Sequence, residues 1–323
     1  MRRVVVTYVL TLLAWTVLAQ VPAVRVPDEA AGTDQIVRTL LETFDRVDIL
    51  ALGEAHHRKV DSDLRIALVR HPDFARKVHT VVIEFGSTSE QGTLDRYMRG
   101  ETVSPAQLAQ VWKTTTQAAN GVWDDPIYAD FLAAIRDVNA KLPANGRIRV
   151  FGGDPGPGDT RSRDGAAVAV LKEQVLDRRG KALVVYGAAH FYRTEADASP
   201  FLTAVGGGIA KTLEARYPGR TFVVIPIGGP ENTPPIAGLP RVDHQRFDRA
   251  VKTTLRPVLV SLQRAPFRDF PAEEFIGQGL LNCRGPGPCV SAFKGSTLTL
   301  GQMADAAVYF GEDPGRANSK GAR

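Results

Sequence analysis

Cysteine is nearly absent from this chain: two occur in 323 residues, Cys283 and Cys289, in the run Cys-Arg-Gly-Pro-Gly-Pro-Cys. A zinc site needs more ligands than two cysteines supply. In an oxidising compartment a pair so spaced is expected to close one small disulfide loop. No Gly-x-Ser-x-Gly elbow occurs, which argues against a serine hydrolase of the common α/β type. Dense Lys/Arg runs with interleaved aromatics are also missing, so a formal charge of +5 points to no nucleic-acid partner. There is no low-complexity tract and no internal repeat. Gly206-Gly207-Gly208-Ile209-Ala210-Lys211-Thr212 lacks the glycine before lysine that a phosphate loop needs, and reads as the start of a helix. A hydrophobic fraction of 44% in a chain of this length predicts a globular fold with a core of its own.

The N-terminus has the features of an export signal. Met1-Arg2-Arg3 is a short positive region, Val4 to Leu18 is apolar and uncharged, and Val17-Leu18-Ala19 places small residues where signal peptidase reads them. Residues 1–19 are expected to be a signal peptide cleaved before Gln20. The uncharged run is shorter than the ~20 residues of a spanning helix, so no stable membrane span is expected after cleavage. No cysteine follows for lipid attachment. The expected location is periplasmic or secreted. Loss of Arg2 and Arg3 leaves 38 basic residues against 35 acidic, a charge of +3.

Four short apolar runs carry polar residues at or just beyond their ends. Val47–Leu52 leads into Gly53-Glu54-Ala55-His56-His57, Val81-Val82-Ile83 into Glu84, Ile148–Phe151 into Gly152-Gly153-Asp154, and Ala182–Tyr186 into Gly187-Ala188-Ala189-His190. Their length and β-branched content, between segments of helical period, predict buried parallel strands. The carboxyl ends of parallel strands lie along one edge, where open α/β sheets bind ligands. The expected fold is therefore α/β, a predominantly parallel sheet flanked by helices. A helical insertion is expected after the second strand, over Glu90–Arg99, Ser104–Gln117 and Pro126–Lys141. Helices are also expected at Thr33–Phe44, Asp61–Lys77 with a break at His71-Pro72, Gly165–Arg178 and Gly206–Tyr217. A fifth strand is expected at Thr221–Ile227, with weaker ones at Pro257–Leu262 and Ala306–Phe310. Residues 20–312 form one domain in this reading, with Gly228–Pro240 as a loop and 313–323 as a flexible tail.

Histidine in a strand-end turn can serve as a general base near neutral pH or as a metal ligand. Of the adjacent pair His56 and His57, one is expected to be functional and the other supporting. Glu84 ends an apolar run, where a carboxylate must be paired, hydrogen-bonded, coordinated or protonated. Arg65 or another helix residue is a candidate ion-pair partner. The small residues around His190 allow a ligand to approach closely. Asp154, in a Gly/Pro loop expected over Gly152–Gly158, and Arg193 are placed in a supporting shell. Trp112 and Trp123 fit a pocket wall or plain core packing.

This arrangement resembles the superfamily that joins erythromycin esterases, ChaN-like haem-binding proteins and Tiki-type metalloproteases. The likeness rests on Gly53 with His56, on Glu84, and on Gly187 with His190. The Gly-Glu-Ala-x-His form of the esterase branch instead matches Gly53-Glu54-Ala55-His56-His57 and weights Glu54 and His57. The resemblance implies a parallel sheet with one active cleft, across Val47 to Phe310. Two departures stand out: Arg58 replaces the glycine usual after the esterase histidine, and the lipid-attachment cysteine of the ChaN-like branch is missing.

The expected function is thus an exported hydrolase of ester or amide bonds acting on a small molecule or peptide. Its candidate catalytic residues are Glu54, His56, His57, Glu84 and His190. In a metal-independent form, His56 or His57 activates water, Glu54 or Glu84 orients the ring, and His190 polarises the carbonyl. In a metal form, His56, Glu84 and His190 hold zinc, manganese, iron or cobalt. The alternative is a haem- or iron-binding protein with Tyr186, Tyr192 and the histidines as axial ligands. The processing expectations are checked by N-terminal sequencing and a non-reducing peptide map. A mature chain starting at Gln20 with Cys283 linked to Cys289 is the expected result.

Overall fold

The computed structural model describes residues 26–194, 208–228, 244–276, 281–282, 290–291, 293 and 295–311. The expected signal peptide, the loop expected past Gly228, both cysteines and the expected tail fall outside the described residues. Ten strands are described: β1 (Glu29–Ala31), β2 (Ile49–Glu54), β3 (Thr80–Ser87), β4 (Arg149–Asp154), β5 (Ala182–Gly187), β6 (Thr221–Ile227), β7 (Val258–Ser261), β8 (Leu281–Asn282), β9 (Val290–Ser291) and β10 (Ala306–Tyr309). Eight of them make one sheet in the order β1-β7-β10-β6-β2-β5-β3-β4. The run from β10 to β4 is parallel throughout. At the other edge β7 lies antiparallel to β10 and β1 antiparallel to β7. β8 and β9 form a separate antiparallel ribbon, with Asn282 opposite Val290.

Both faces of the sheet are covered, which explains why β2 and β5 are buried at every residue instead of alternating. Leu50, Leu52, Leu183 and Val185 face one layer of helices. That layer contains α1 (Thr33–Thr43), α2 (Lys59–Arg70), α3 (Pro72–Lys77), α4 (Gln91–Met98), α5 (Pro105–Lys113) and α6 (Pro126–Asn139). Ile49, Ala51, Val184 and Tyr186 face the other layer, where α7 (Arg163–Leu171) and α8 (Ile209–Arg216) supply Ala167, Leu171, Ile209 and Leu213. The shorter helices α9 (Gln245–Ala250), α10 (Ala272–Ile276) and α11 (Leu300–Met303) pack Phe247, Phe275 and Leu300 into that same layer. No helix among the described residues is long and apolar enough to cross a membrane.

The expected insertion is present as α4, α5 and α6, between β3 and β4. α5 begins with a capping box in which Ser104 and Gln107 satisfy each other's backbone, and Pro105 fits the first helical turn. His71-Pro72 separates α2 from α3, because proline lacks the N–H that would continue the helix.

Three details depart from expectation. β1, with the sequence Glu-Ala-Ala, carries no β-branched signal and takes its strand form by pairing with β7. β3 continues past Glu84 to Ser87, through an irregularity in its register with β4. β4 likewise runs through Gly152 and Gly153, where a loop was expected. A Cβ on Gly153 would lie 2.0 Å from the Tyr186 hydroxyl, so only glycine lets β4 cross above that ring. Gly153→Ala is expected to destabilise the protein by about 1–3 kcal/mol in urea unfolding, the range for overpacking. Tyr186→Phe in the same chain should recover part of the loss, because it removes the clashing oxygen.

Candidate active site

The carboxyl ends of β2, β3 and β5 bring Glu54, Glu84 and His190 to one edge of the sheet. β2 ends on Glu54, and His56 folds back in the turn that follows. Its Nδ1 donates to Glu54 Oε1 at 2.9 Å, since an ionised carboxylate can only accept. Glu54 is held from the insertion side, where Arg65 of α2 donates to its other oxygen and the Tyr128 hydroxyl of α6 donates to Oε1 at 3.2 Å. The Arg65 guanidinium lies over the Phe85, Tyr128 and Phe131 rings at 5.0–5.5 Å, so the buried cation is paired and also faces aromatic π-systems. Burial by itself raises the Glu54 pKa, but Arg65 and the His56 hydrogen bond outweigh it and hold the carboxyl below its usual range.

Glu84 is 1% exposed and takes three contacts. Its Oε2 accepts the Gly187 N–H at 2.6 Å. Its Oε1 meets Arg163 of α7 and His190 Nε2, the latter at 3.2 Å. Burial opposes ionisation here too, yet His190, His56 and Arg163 together drive the pKa far below the usual carboxylate value. His190 Nδ1 contacts Asp164, the residue after Arg163. Burial disfavours an imidazolium, but Glu84 and Asp164 on either side raise the His190 pKa to about 9.

His56 stands between the two assemblies. A Cβ on Gly187 would lie 3.2 Å from His56 Nε2 and 3.4 Å from Glu84 Oε2, so the missing side chain makes room for the imidazole beside the second carboxylate. Desolvation lowers the His56 pKa, but the bond to Glu54 and the field of Glu84 dominate and raise it above 6.5. His56 is 28% exposed, against 5% for Glu54, 1% for Glu84 and 4% for His190. It is the member of this group within reach of solvent.

His57 points elsewhere. Its backbone takes the left-handed conformation, φ 64°, which turns the ring toward Asp125 at the N-cap of α6, 3.7 Å away. The structure thus places His56, and not His57, against Glu54. The segment between α5 and α6 clasps the cleft from both sides. Thr116 donates its N–H to Asp154 at 2.6 Å, while Trp123 lies edge-on to the His56 ring at 4.8 Å. Asp154 also accepts from Arg163 at 2.9 Å and so supports Glu84 indirectly.

Other sequence candidates lie farther from this group. Arg193 pairs with Asp305 at 2.7 Å and anchors the turn after β5 to the segment before β10. Tyr192 packs on Phe293 in the core. Tyr186 is fully buried, and its hydroxyl has no partner among the described residues. Neither tyrosine is presented to solvent, so the pair does not fit haem. The metal set fits no better. The Glu84 oxygens already meet a guanidinium, an imidazole and an amide, and both His190 nitrogens are engaged by carboxylates. Among the described residues no group of three or more His, Cys, Asp or Glu side chains is arranged to hold a metal ion. His190 with both nitrogens taken is likewise not free to polarise a carbonyl, contrary to the sequence expectation.

Arg163, Asp164 and Tyr128 complete the site without a clear sequence signal. Arg163 and Asp164 sit in Ser-Arg-Asp-Gly, which reads only as a helix start, and Tyr128 lies among apolar residues of the insertion.

No protein-family model and no curated protein matches the sequence. Solved structures share its fold. A Bacillus cereus protein superposes with a TM-score of 0.54 at 14% identity, over 87% of this chain and 98% of its own. The erythromycin esterase EreC, in its open conformation, gives 0.51 at 12% identity over 87% and 95%. A succinoglycan biosynthesis protein gives 0.57 at 9% identity over 88% and 94%. These likenesses establish the α/β architecture.

Linkage sets the pH response of the buried charges. The folded His190 pKa is raised, so its stabilisation is complete below about pH 6.5 and is lost as the pH rises through about 9. The folded Glu84 pKa is depressed, so its share is present above pH 4.5 and is lost as the pH falls below that value. Urea midpoints should therefore decline between pH 7 and 9.5, and His190→Gln should flatten that decline.

Proposed function

We propose that this protein is a metal-independent hydrolase of ester or amide bonds, exported from the cell, with His56 as its general base. The observation that carries this reading is the Glu54–His56 hydrogen bond, made by the solvent-reachable member of an otherwise buried group. A carboxylate on Nδ1 fixes the imidazole tautomer and leaves Nε2 as the free nitrogen, the logic of hydrolytic dyads and triads. The fold shared with an erythromycin esterase supports placement in that superfamily and a hydrolytic activity.

The proposed steps follow from these contacts. His56 Nε2 removes a proton from a water molecule as the water oxygen attacks the substrate carbonyl. The proton then passes from His56 to the leaving alkoxide or amine as the tetrahedral intermediate collapses. Glu54 stabilises the transient imidazolium, and Arg65 with Tyr128 keeps Glu54 in place. Glu84, kept ionised by His190 and Arg163, adds a negative field that makes His56 a stronger base. Small esters and short peptides are the substrate classes to screen.

With a substrate from such a screen, His56→Ala is expected to lower kcat/KM by about 10²–10⁴, the usual share of a general base. The rate should rise with pH as His56 loses its proton, with a midpoint above 6.5. A chelator should leave the rate unchanged. Retention of full activity by His56→Ala, or chelator inhibition reversed by a divalent metal, would overturn the proposal.

A further inference from the structure

Two adjacent residues, Arg163 and Asp164, open α7 and grip the two members of the buried pair. Successive side chains on a helix point about 100° apart, so one turn can reach two targets. Arg163 meets Glu84 and Asp154. Asp164 meets His190 Nδ1 with one oxygen and accepts the Gly208 N–H at 2.9 Å with the other. Ser162 caps the turn by accepting the Gly165 N–H at 3.1 Å, which fixes the direction from which both side chains leave.

An acid in a first helical turn is favourable for the helix dipole alone. That explanation does not account for Asp164, which is 1% exposed and spends both oxygens on groups outside its own helix. A second plain explanation is a structural tie between α7, the turn after β5 and the start of α8. A tie of that kind does not require a carboxylate on Nδ1 of an imidazole whose other nitrogen meets Glu84. We infer that Arg163 and Asp164 act as one positioning unit: Asp164 fixes the His190 ring through Nδ1, and Arg163 fixes Glu84. His190 Nε2 then stays on Glu84, and Glu84 stays beside His56.

The effect on His190 stands on contacts alone, while the effect on turnover rests on the hydrolase reading. The test uses the full mature chain with Asp164→Asn, Asp164→Glu and Arg163→Lys. Imidazole ¹⁵N spectra of His190 are recorded against pH, together with kcat, KM and thermal midpoint. Asp164→Asn is expected to move the His190 titration below about 9. It should also lower kcat by up to about 100-fold, the scale of a misplaced reacting group, with KM changed less than about twofold. Asp164→Glu should restore part of both. Arg163→Lys keeps the charge but loses the fork, and should lower kcat without removing the His190 imidazolium. A folded Asp164→Asn protein with the parent titration and kcat would overturn the inference and leave Asp164 a structural tie. If the parent hydrolyses nothing in the screen, the function proposal fails and the ¹⁵N titration alone decides this inference. If Asp164→Asn does not fold, Asp164→Glu and Arg163→Lys carry the test, and parent values in both would overturn it.

Discussion

A carboxylate sealed inside a sheet edge sets the terms for everything around it. Isolated in apolar surroundings, Glu84 would take up a proton, because burial disfavours the ionised form. It remains ionised only because an amide, a guanidinium and an imidazolium converge on its two oxygens. Each of those partners needs its own support. Arg163 leans on Asp154, which leans on Thr116 of the insertion, and His190 leans on Asp164. One buried charge thereby recruits residues from β4, β5, α7 and the insertion.

The cluster joins two carboxylate–imidazole pairs with different exposure. Glu54–His56 opens to the cleft, while Glu84–His190 is closed. Closure is what gives the inner pair its effect, because a charge pair shielded from water acts on its neighbours at lower effective dielectric. Full pairing also prevents the inner histidine from serving as a donor to substrate. Division of labour between the two histidines therefore follows from burial, not from any difference in residue type.

Much of this architecture is legible in the sequence, and the illegible part has identifiable causes. Short β-branched runs mark β2, β3, β5 and β6 because strands buried on both faces need apolar residues at every position. Parallel direction then places Glu54, Glu84 and His190 at one edge, so long-range convergence becomes a local reading. The choice between His56 and His57 was not legible. It depends on a left-handed backbone at His57, which no spacing of side-chain types reveals. Arg163 and Asp164 were hidden for a related reason. Polar residues at a helix start serve capping and dipole roles so commonly that a long-range partner such as Glu84 or His190 leaves no separate mark. Glycine misled as well: Gly152-Gly153 suggested a loop, where its true role is to let β4 pass Tyr186.

The segment between α5 and α6 touches the site at Asp154 through Thr116, at His56 through Trp123 and at His57 through Asp125. Those three points lie on both sides of the cleft, on chain segments separated by about a hundred residues. The order of assembly is constrained by that geography. β2 and β4, which carry those points, are joined only through β5 and β3, so the clasp has nothing to hold until these four strands have paired. Cleft and cover consequently form one cooperative unit, in which a local opening of the cover loosens His56 and its distant supports together.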